Sequence, residues 1–535
     1  MKRVPFYPLL TGLFVLLSLY ASNLDESSLQ DLLISSLLVI AFTWVLFLIG
    51  YAAIRNIHRT AMVVGAIVFC FMTYGYWVKV VMNLHPYFSH HYFVRTAVLF
   101  VQAVLIALLA YWAIRRAKDL EGATSSLNWI WCLIVGLSLA NIGWNLARNP
   151  KPPPPPLDKS LVVAKLTPPA QPPDIYFILL DAHGRQDVLR DQYQYDGSAF
   201  FNHLREKGFF VADKSNSNYM WTILSMSSML NMRYMDDLTG NESTKWHEAT
   251  DRIRHNSVMA ELKSAGYRTI AFETLVTWLC LDNADEYYKI TNKIGITPYQ
   301  QLAIDTTALS QLGGDSLKNR LILDQYHQKR QMLLYKLSHI GKVAAEPGPK
   351  FVFMHTLEPH PPFVFAADGS DPVARGYGGI GDRMPDPAMT VEQYHDWYRE
   401  QITFIDNQIT TAIDTILANS SSPPVIVLAG DHGPRSRIRE NPDAEGLTEC
   451  LSNLTAVYLP GKNNQGLYAS ITPVNLFRVV LNDYFNAGLP MLPDRCFFSW
   501  NKVYQLDEVT STVRSSEPAG SATRPLAAGA DAFKN

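Results

Sequence analysis

Two hydrophobic rhythms divide the chain. Up to residue 147 the apolar positions form long blocks, whereas beyond residue 174 they form short runs that alternate with stretches of helical spacing. Five blocks, at about 5–22, 32–54, 61–82, 94–114 and 127–146, each approach or exceed the ~20 residues a helix needs to cross a bilayer. Trp44, Trp77, Trp112, Trp129 and Trp144 lie near block ends, as interfacial aromatic belts do. Lys2 and Arg3 precede the first block, Arg55 and Arg59 follow the second, and Arg115, Arg116 and Lys118 follow the fourth. The first loop instead carries Asp25, Glu26 and Asp31. The positive-inside rule then places the N-terminus in the cytoplasm, and five crossings put everything after residue 147 outside. A cleaved signal peptide at 1–22 would leave four spans and the same outer location.

The later part reads as α/β. Runs at 175–180, 269–272, 351–354, 425–429 and 454–459 have the length and β-branched content of buried strands. Helical spacing covers 187–207, 222–230, 258–264, 321–338, 391–417 and 473–481. Such alternation implies a mostly parallel central sheet covered on both faces, with its polar strand ends gathered on one edge. Residues 149–173, with their two proline clusters, read as an extended tether. The expected organisation is a five-span membrane domain at 1–148, a linker at 149–173, an external catalytic domain at 174–505 and a disordered tail at 506–535.

Charge narrows the function classes. Residues 1–150 carry 10 basic and 5 acidic residues, and the remainder 36 and 43. A mildly acidic outer part does not support nucleic-acid binding, which needs a basic face. The spans hold almost no charge, which argues against a transporter or proton pump. His85, His90 and His91 crowd the third loop and read as interfacial residues. Five cysteines include no zinc-finger spacing, and Cys280, Cys450 and Cys496 allow at most one disulfide in the outer part.

Chemistry concentrates at strand ends. The run at 425–429 terminates in Gly430-Asp431-His432-Gly433-Pro434, and the run at 175–180 terminates in Asp181. With Thr222, at the start of an expected helix, Asp181, Asp431 and His432 make a four-ligand set of oxygen and nitrogen donors suited to one Zn2+ or Mn2+. An alcohol needs a metal or base to become a nucleophile, and a helix start offers N–H groups to a phosphate. Thr222 is also a common kind of N-cap. Ser225, Ser227 and Ser228 read as packing and capping groups. His355 and His360, in His-Thr-Leu-Glu-Pro-His-Pro-Pro-Phe, follow a strand and can face the same edge, as acid, base or oxygen ligand. Arg435 can pair with a phosphate or stand as a solvated surface residue.

An Asp after the first strand, a Thr some forty residues later, His-x-x-x-x-His-Pro-Pro and Gly-Asp-His-Gly together resemble the sulfatase-like branch of the alkaline phosphatase superfamily. With spans in front, the chain looks like lipoteichoic-acid synthases and membrane phosphoethanolamine transferases. The resemblance implies an α/β sandwich, metal ligands at Asp181, Asp431 and His432, a covalent phospho-enzyme at Thr222, and a substrate-side His360. Two features depart from it. Those transferases typically use Glu where Asp181 stands, and residues 433–460 lack the further His of phosphoethanolamine transferases. No Cys/Ser-x-Pro/Ala-x-Arg motif surrounds Thr222, so formylglycine-dependent sulfate-ester hydrolysis is disfavoured.

The resulting expectation is a membrane-anchored, metal-dependent transferase in a bacterial cytoplasmic membrane. It would move a phospho-alcohol group from a phospholipid donor to an envelope glycan or lipid. The alternatives are a phosphodiesterase, phosphatase or sulfuric ester hydrolase of the same fold, or a non-catalytic protein that binds envelope polymers.

Overall fold

The computed structural model describes residues 4–24, 27–84, 92–148, 166–239, 246–290, 295–312, 314–372, 389–500 and 502–515. Lys2, Arg3, the three loop histidines and most of the proline-rich stretch lie outside the described residues. The chain divides into two compact units. One comprises 1–156 with 275–278 and 290–332, and the other comprises 157–274, 279–289 and 333–535. The sequence does not anticipate the two excursions of the later part of the chain into the first unit.

The first unit is built on α1 (Tyr7–Ser22), α2 (Leu29–Ile54), α3 (Ile57–Leu84), α4 (Tyr92–Tyr111, continued by a π-helical turn Trp112–Arg116) and α5 (Glu121–Arg148). α2, α3, α5 and the α4 continuum are long and apolar enough to cross a membrane, and the protein is an integral membrane protein. Five spans were expected. α1 has 16 residues, which at the helical rise is about 24 Å, short of the ~30 Å hydrocarbon core. It is instead enclosed by its neighbours: Val15, Leu16 and Gly12 are buried, and a Cβ at Gly12 would lie 2.5 Å from Val39. Its start is capped from α5, where Asn128 Oδ1 accepts from the backbone of Phe6 and Tyr7 at 3.2 and 3.0 Å. This satisfies donors that a helix start leaves open. Arg59 donates to the carbonyls of Ile114 and Ala117, closing the end of the α4 continuum.

The second unit holds a seven-stranded sheet. Its strands are β1 (Ile175–Leu180), β2 (Phe210–Val211), β3 (Arg268–Phe272), β4 (Glu286–Tyr288), β5 (Lys350–Thr356), β6 (Val425–Gly430) and β7 (Thr455–Tyr458). Their order is β2-β7-β6-β1-β5-β3-β4, parallel from β6 to β4, with β7 and β2 antiparallel at one edge. The mostly parallel expectation holds. β2 and β4 are too short to leave a hydrophobic signature. β1, β5 and β6 are buried along their whole length, as central parallel strands are. Phe177 and Phe351 meet Phe477 of helix Leu476–Phe485 on one face, and Phe353 packs against Phe177.

The expected helix 187–207 is two helices, Gln186–Tyr193 and Ser198–Glu206. Gln194, with φ +52°, ends the first and Gly197 caps the second. Residues 506–515, expected within a disordered tail, instead include a strand, Asp507–Glu508, paired with Phe497–Phe498, and helix Thr510–Ser515. Residues 516–535 lie outside the described residues.

At the entry edge of the sheet, Asp174 joins all three central strands. Its carbonyl accepts from Val425, its carboxylate accepts from the Lys350 backbone at 3.1 Å, and it pairs with the Lys350 ammonium. Both side chains are almost fully buried. Removing one partner of such a pair leaves an uncompensated charge. Asp174→Ala should therefore destabilise this unit by about 3–5 kcal/mol, read as a large fall in the unfolding midpoint. An unchanged midpoint would contradict the role given to the pair.

Candidate active site

The strand register assembles the site. Leu180, Thr356 and Gly430 stand side by side on adjacent strands, so Asp181 and Asp431 leave the sheet at one level. His355 lies one residue back, inside β5 rather than after it as expected. Two glycines permit the close approach. A Cβ at Gly430 would lie 2.5 Å from the His183 carbonyl oxygen, and one at Gly433 would lie 2.1 Å from that of Glu449.

Asp181, Asp431 and His432 are buried, and a donor atom from each lies within 4.8 Å of the others. His432 Nε2 is 3.5 Å from Asp181 Oδ1 and 3.3 Å from Asp431 Oδ2. Its Nδ1 is 2.7 Å from the Gly433 carbonyl. Donation there fixes the proton on Nδ1 and turns the Nε2 lone pair toward the carboxylates, the arrangement that orients metal-binding histidines. Asp431 Oδ1 accepts from the backbone of Ala182 and His432 at 3.0 and 2.9 Å, while Oδ2 is buried with no hydrogen-bond donor. Burial pushes the Asp431 carboxyl up and holds the His432 imidazole well below its ordinary range, the latter reinforced by Arg435. Buried acceptor atoms gathered at one point fit a divalent cation.

Thr222 opens helix Thr222–Asn231 as its first residue. The N-cap is Trp221, so Thr222 does not cap through its side chain. Its hydroxyl lies 3.4 Å from His432 Nε2, and it favours the charged form of the Asp431 carboxyl. Because Leu224 and Ser225 donate to Trp221 O, the N–H groups of Thr222 and Ile223 precede the intrahelical ladder and open the helix toward this point. Ser225, Ser227 and Ser228 are buried in the helix body, as expected.

His360 is brought in by its backbone, which donates to the Asp181 carbonyl at 2.9 Å. It is partly exposed, and its ring centroid lies 6.1 Å from that of His432. His355 is fully buried, 3.7 Å from Asp181 Oδ2, with neither ring nitrogen hydrogen-bonded. Burial, with Lys336 close by, lowers its pKa to about 3, so it is neutral. Arg435 is buried rather than solvated, and stacks over Trp221 at 5.5 Å. Its guanidinium donates to the Met220 carbonyl and to His432 Nε2. One lone pair cannot serve two partners, so an ion on Nε2 would take the place of that Arg435 bond.

The sequence reading missed the supports. Helix Val391–Asn419 holds both loops: Tyr398 donates to Ala182 O at 2.8 Å, Asp406 bonds His183 Nε2 at 2.8 Å, and Gln401 donates to Pro359 O at 2.9 Å. The available signal was polar side chains on the apolar face of an amphipathic helix, where Gln401 and Asp406 sit among Tyr394, Tyr398, Ile402, Ile405 and Ile409. Glu449, buried, accepts from the backbone of Ser436 and Arg437 at 3.0 and 2.9 Å and so fixes the turn that carries Arg435.

Metal analysis of the purified chain should find about one ion per chain, as one four-donor site implies. Asp431→Ala/His432→Ala should lose it, and full occupancy in that variant would refute the site.

Comparison with known proteins bears on the same region. The family model described as Sulfatase matches residues 173–478. No curated protein sequence matches the chain. Among solved structures, the zinc complex of the C-terminal periplasmic domain of EcEptC from Escherichia coli is similar at 13% identity. That match covers 66% of this chain and 96% of that one, with a TM-score of 0.41. The integral membrane lipooligosaccharide phosphoethanolamine transferase A from Neisseria meningitidis matches at 11% identity over 90% of this chain and 95% of its own, with a TM-score of 0.39. The C-terminal periplasmic domain of phosphoethanolamine transferase EptC from Campylobacter jejuni matches at 12% identity over 59% and 89%, with a TM-score of 0.38. The family model spans more than half of the chain and contains Asp181, Thr222, His355, His360, Asp431, His432 and Arg435: the protein belongs to the sulfatase family.

Proposed function

We propose that the protein transfers a phospho-alcohol group from a phospholipid to an envelope glycan or lipid through a covalent intermediate on Thr222, outside a bacterial cytoplasmic membrane. The observation that carries this reading is the Thr222 hydroxyl itself. It lies at a helix start and against Asp431 and His432, where a sulfate-ester hydrolase of the formylglycine type would need a Cys or Ser.

Asp181, Asp431, His432 and Thr222 would hold one Zn2+ or Mn2+. When bound, the ion lowers the alcohol's pKa and neutralises charge on the phosphoryl oxygens. The chain's own groups do the rest. Thr222 Oγ1, whose proton would pass to solvent as its pKa falls, attacks phosphorus in line and the lipid alkoxide leaves, so one P–O bond forms as another breaks. The N–H groups of Thr222 and Ile223 receive the non-bridging oxygens. Arg435, drawn from His432, pairs with the same oxygens. His360, partly exposed beside the cluster, protonates the departing oxygen and later takes the proton of the acceptor hydroxyl. His355, buried and neutral, faces Asp181 from below and is better placed to hold the cluster than to reach a substrate. The membrane helices keep the site at high effective concentration near lipid headgroups.

The second reading, hydrolysis by the same centre with water as acceptor, rests on the same side chains. Incubation with headgroup-labelled phospholipid and no acceptor separates the outcomes. Label should accumulate covalently on the wild-type chain and be absent from Thr222→Ala. Full turnover by Thr222→Ala would overturn the nucleophile. Release to water alone, with envelope acceptors present, would establish the hydrolase.

A further inference from the structure

After β4 the chain leaves the sheet and joins the membrane unit over residues 290–332 before returning to β5. Within that excursion, helix Pro298–Thr306 opens on a capping box made by Thr297 and Gln300, and a second short turn, Leu309–Leu312, follows. One side is packed against the membrane helices. Tyr299 is buried and donates its hydroxyl to the Leu16 carbonyl of α1 at 2.9 Å, with its ring edge-on to Tyr20. The Ala308 backbone donates to the Phe71 carbonyl of α3 at 2.9 Å. Gly75 of α3 admits this backbone: a Cβ there would lie 2.3 Å from Asp305 O and 2.9 Å from Thr306 Cα.

These contacts fix a level along the membrane helices. Phe71 lies thirteen residues before the end of α3, about 20 Å along the axis at the helical rise. Leu16 lies six residues before the end of α1. Tyr20, Tyr74, Tyr76 and Trp77 cluster in the same stretches, the composition of an interfacial belt. The segment therefore lies alongside helices that cross the bilayer.

Its other side is apolar and open. Leu302, Leu309 and Leu312 are 40%, 40% and 63% exposed. Among the described residues after 148, only Leu334 and Met491 are other large apolar side chains so exposed. Gln301, Asp305, Ser310 and Gln311 alternate with these leucines, giving the amphipathic pattern of an element that lies in a membrane interface. Exposed leucines are costly in water and ordinary against acyl chains. In the same unit α2 exposes Leu33, Leu37 and Leu38, and α4 exposes Phe100 and Leu105.

We propose that residues 295–312 form an interfacial element whose partner is the bilayer. Leu302, Leu309 and Leu312 contact phospholipid acyl chains in the leaflet at the C-terminal ends of α1 and α3. The chain between β4 and β5 then includes a membrane-contacting segment. The inference rests on the membrane helices and not on the reaction, so its failure would leave the chemistry of the site untouched.

The test uses the full wild-type chain in phosphatidylcholine liposomes doped with a phospholipid carrying a diazirine on its acyl chain. After photolysis, adducts mapped by peptide mass should fall on the segment 295–312 as well as on α2 and α4, and not on the exposed loop 461–466. Leu309→Glu/Leu312→Glu should lose the adducts on 295–312 while α2 and α4 keep theirs. Labelled α2 and α4 with an unlabelled 295–312 in the wild type would overturn the proposal, as would adducts retained by the double variant.

Discussion

Two buried carboxylates brought together are the constraint around which the catalytic unit is arranged. Asp181 and Asp431 leave adjacent buried strands at the same level because the register of β6, β1 and β5 leaves them no other place. Like charges in a desolvated setting repel strongly, and His432, with its proton on Nδ1, brings no proton to them, its Nε2 lone pair accepting from Arg435. A divalent cation in the place of the Arg435 bond would resolve this electrostatically. The surrounding structure holds the frustrated arrangement in place instead of relaxing it. The Ala182 and His432 amides fix one oxygen of Asp431, Asn453 ties the Gly430 carbonyl, and Tyr398 and His183–Asp406 anchor the turn after Asp181 to a long helix.

Family and reaction are separate matters in this chain. The sulfatase model covers the α/β region, but an alcohol stands at the helix start where the formylglycine precursor would be. A threonine in the same electrostatic setting can attack phosphorus directly and needs no prior oxidation. The integral membrane unit supplies a reason for the substrate to be a lipid, since anchoring contributes nothing to the capture of a freely diffusing ester.

Much of this arrangement can be read from the residues alone, for physical reasons. β1, β5 and β6 are fully buried, so their sequences are unbroken apolar runs, and the polar residues that end them stand out. Asp181, Asp431 and His432 were visible for that reason. Other features depend on tertiary context. His355 reads as a loop residue because an imidazole interrupts the apolar run, yet the strand continues to Thr356. Arg435 looks like a surface arginine until the Trp221 ring and Met220 carbonyl close over it. The break at Gln194 carries no proline or glycine at that residue. α1 has the composition of a span, but its length and its enclosure by α2, α3 and α5 set it apart. The excursion at 290–332 is invisible because its partners, Leu16, Phe71 and Gly75, lie more than two hundred residues earlier.

The central claim, transfer through a covalent threonine, has a stereochemical signature. Each in-line displacement inverts phosphorus, so two displacements through Thr222 restore the original configuration. The direct measurement supplies the enzyme and an acceptor with a phospholipid whose phosphorus is a single thiophosphate epimer, and assigns the product by phosphorus NMR. The account predicts net retention. Net inversion would mean that the acceptor attacks the lipid directly, and would contradict it.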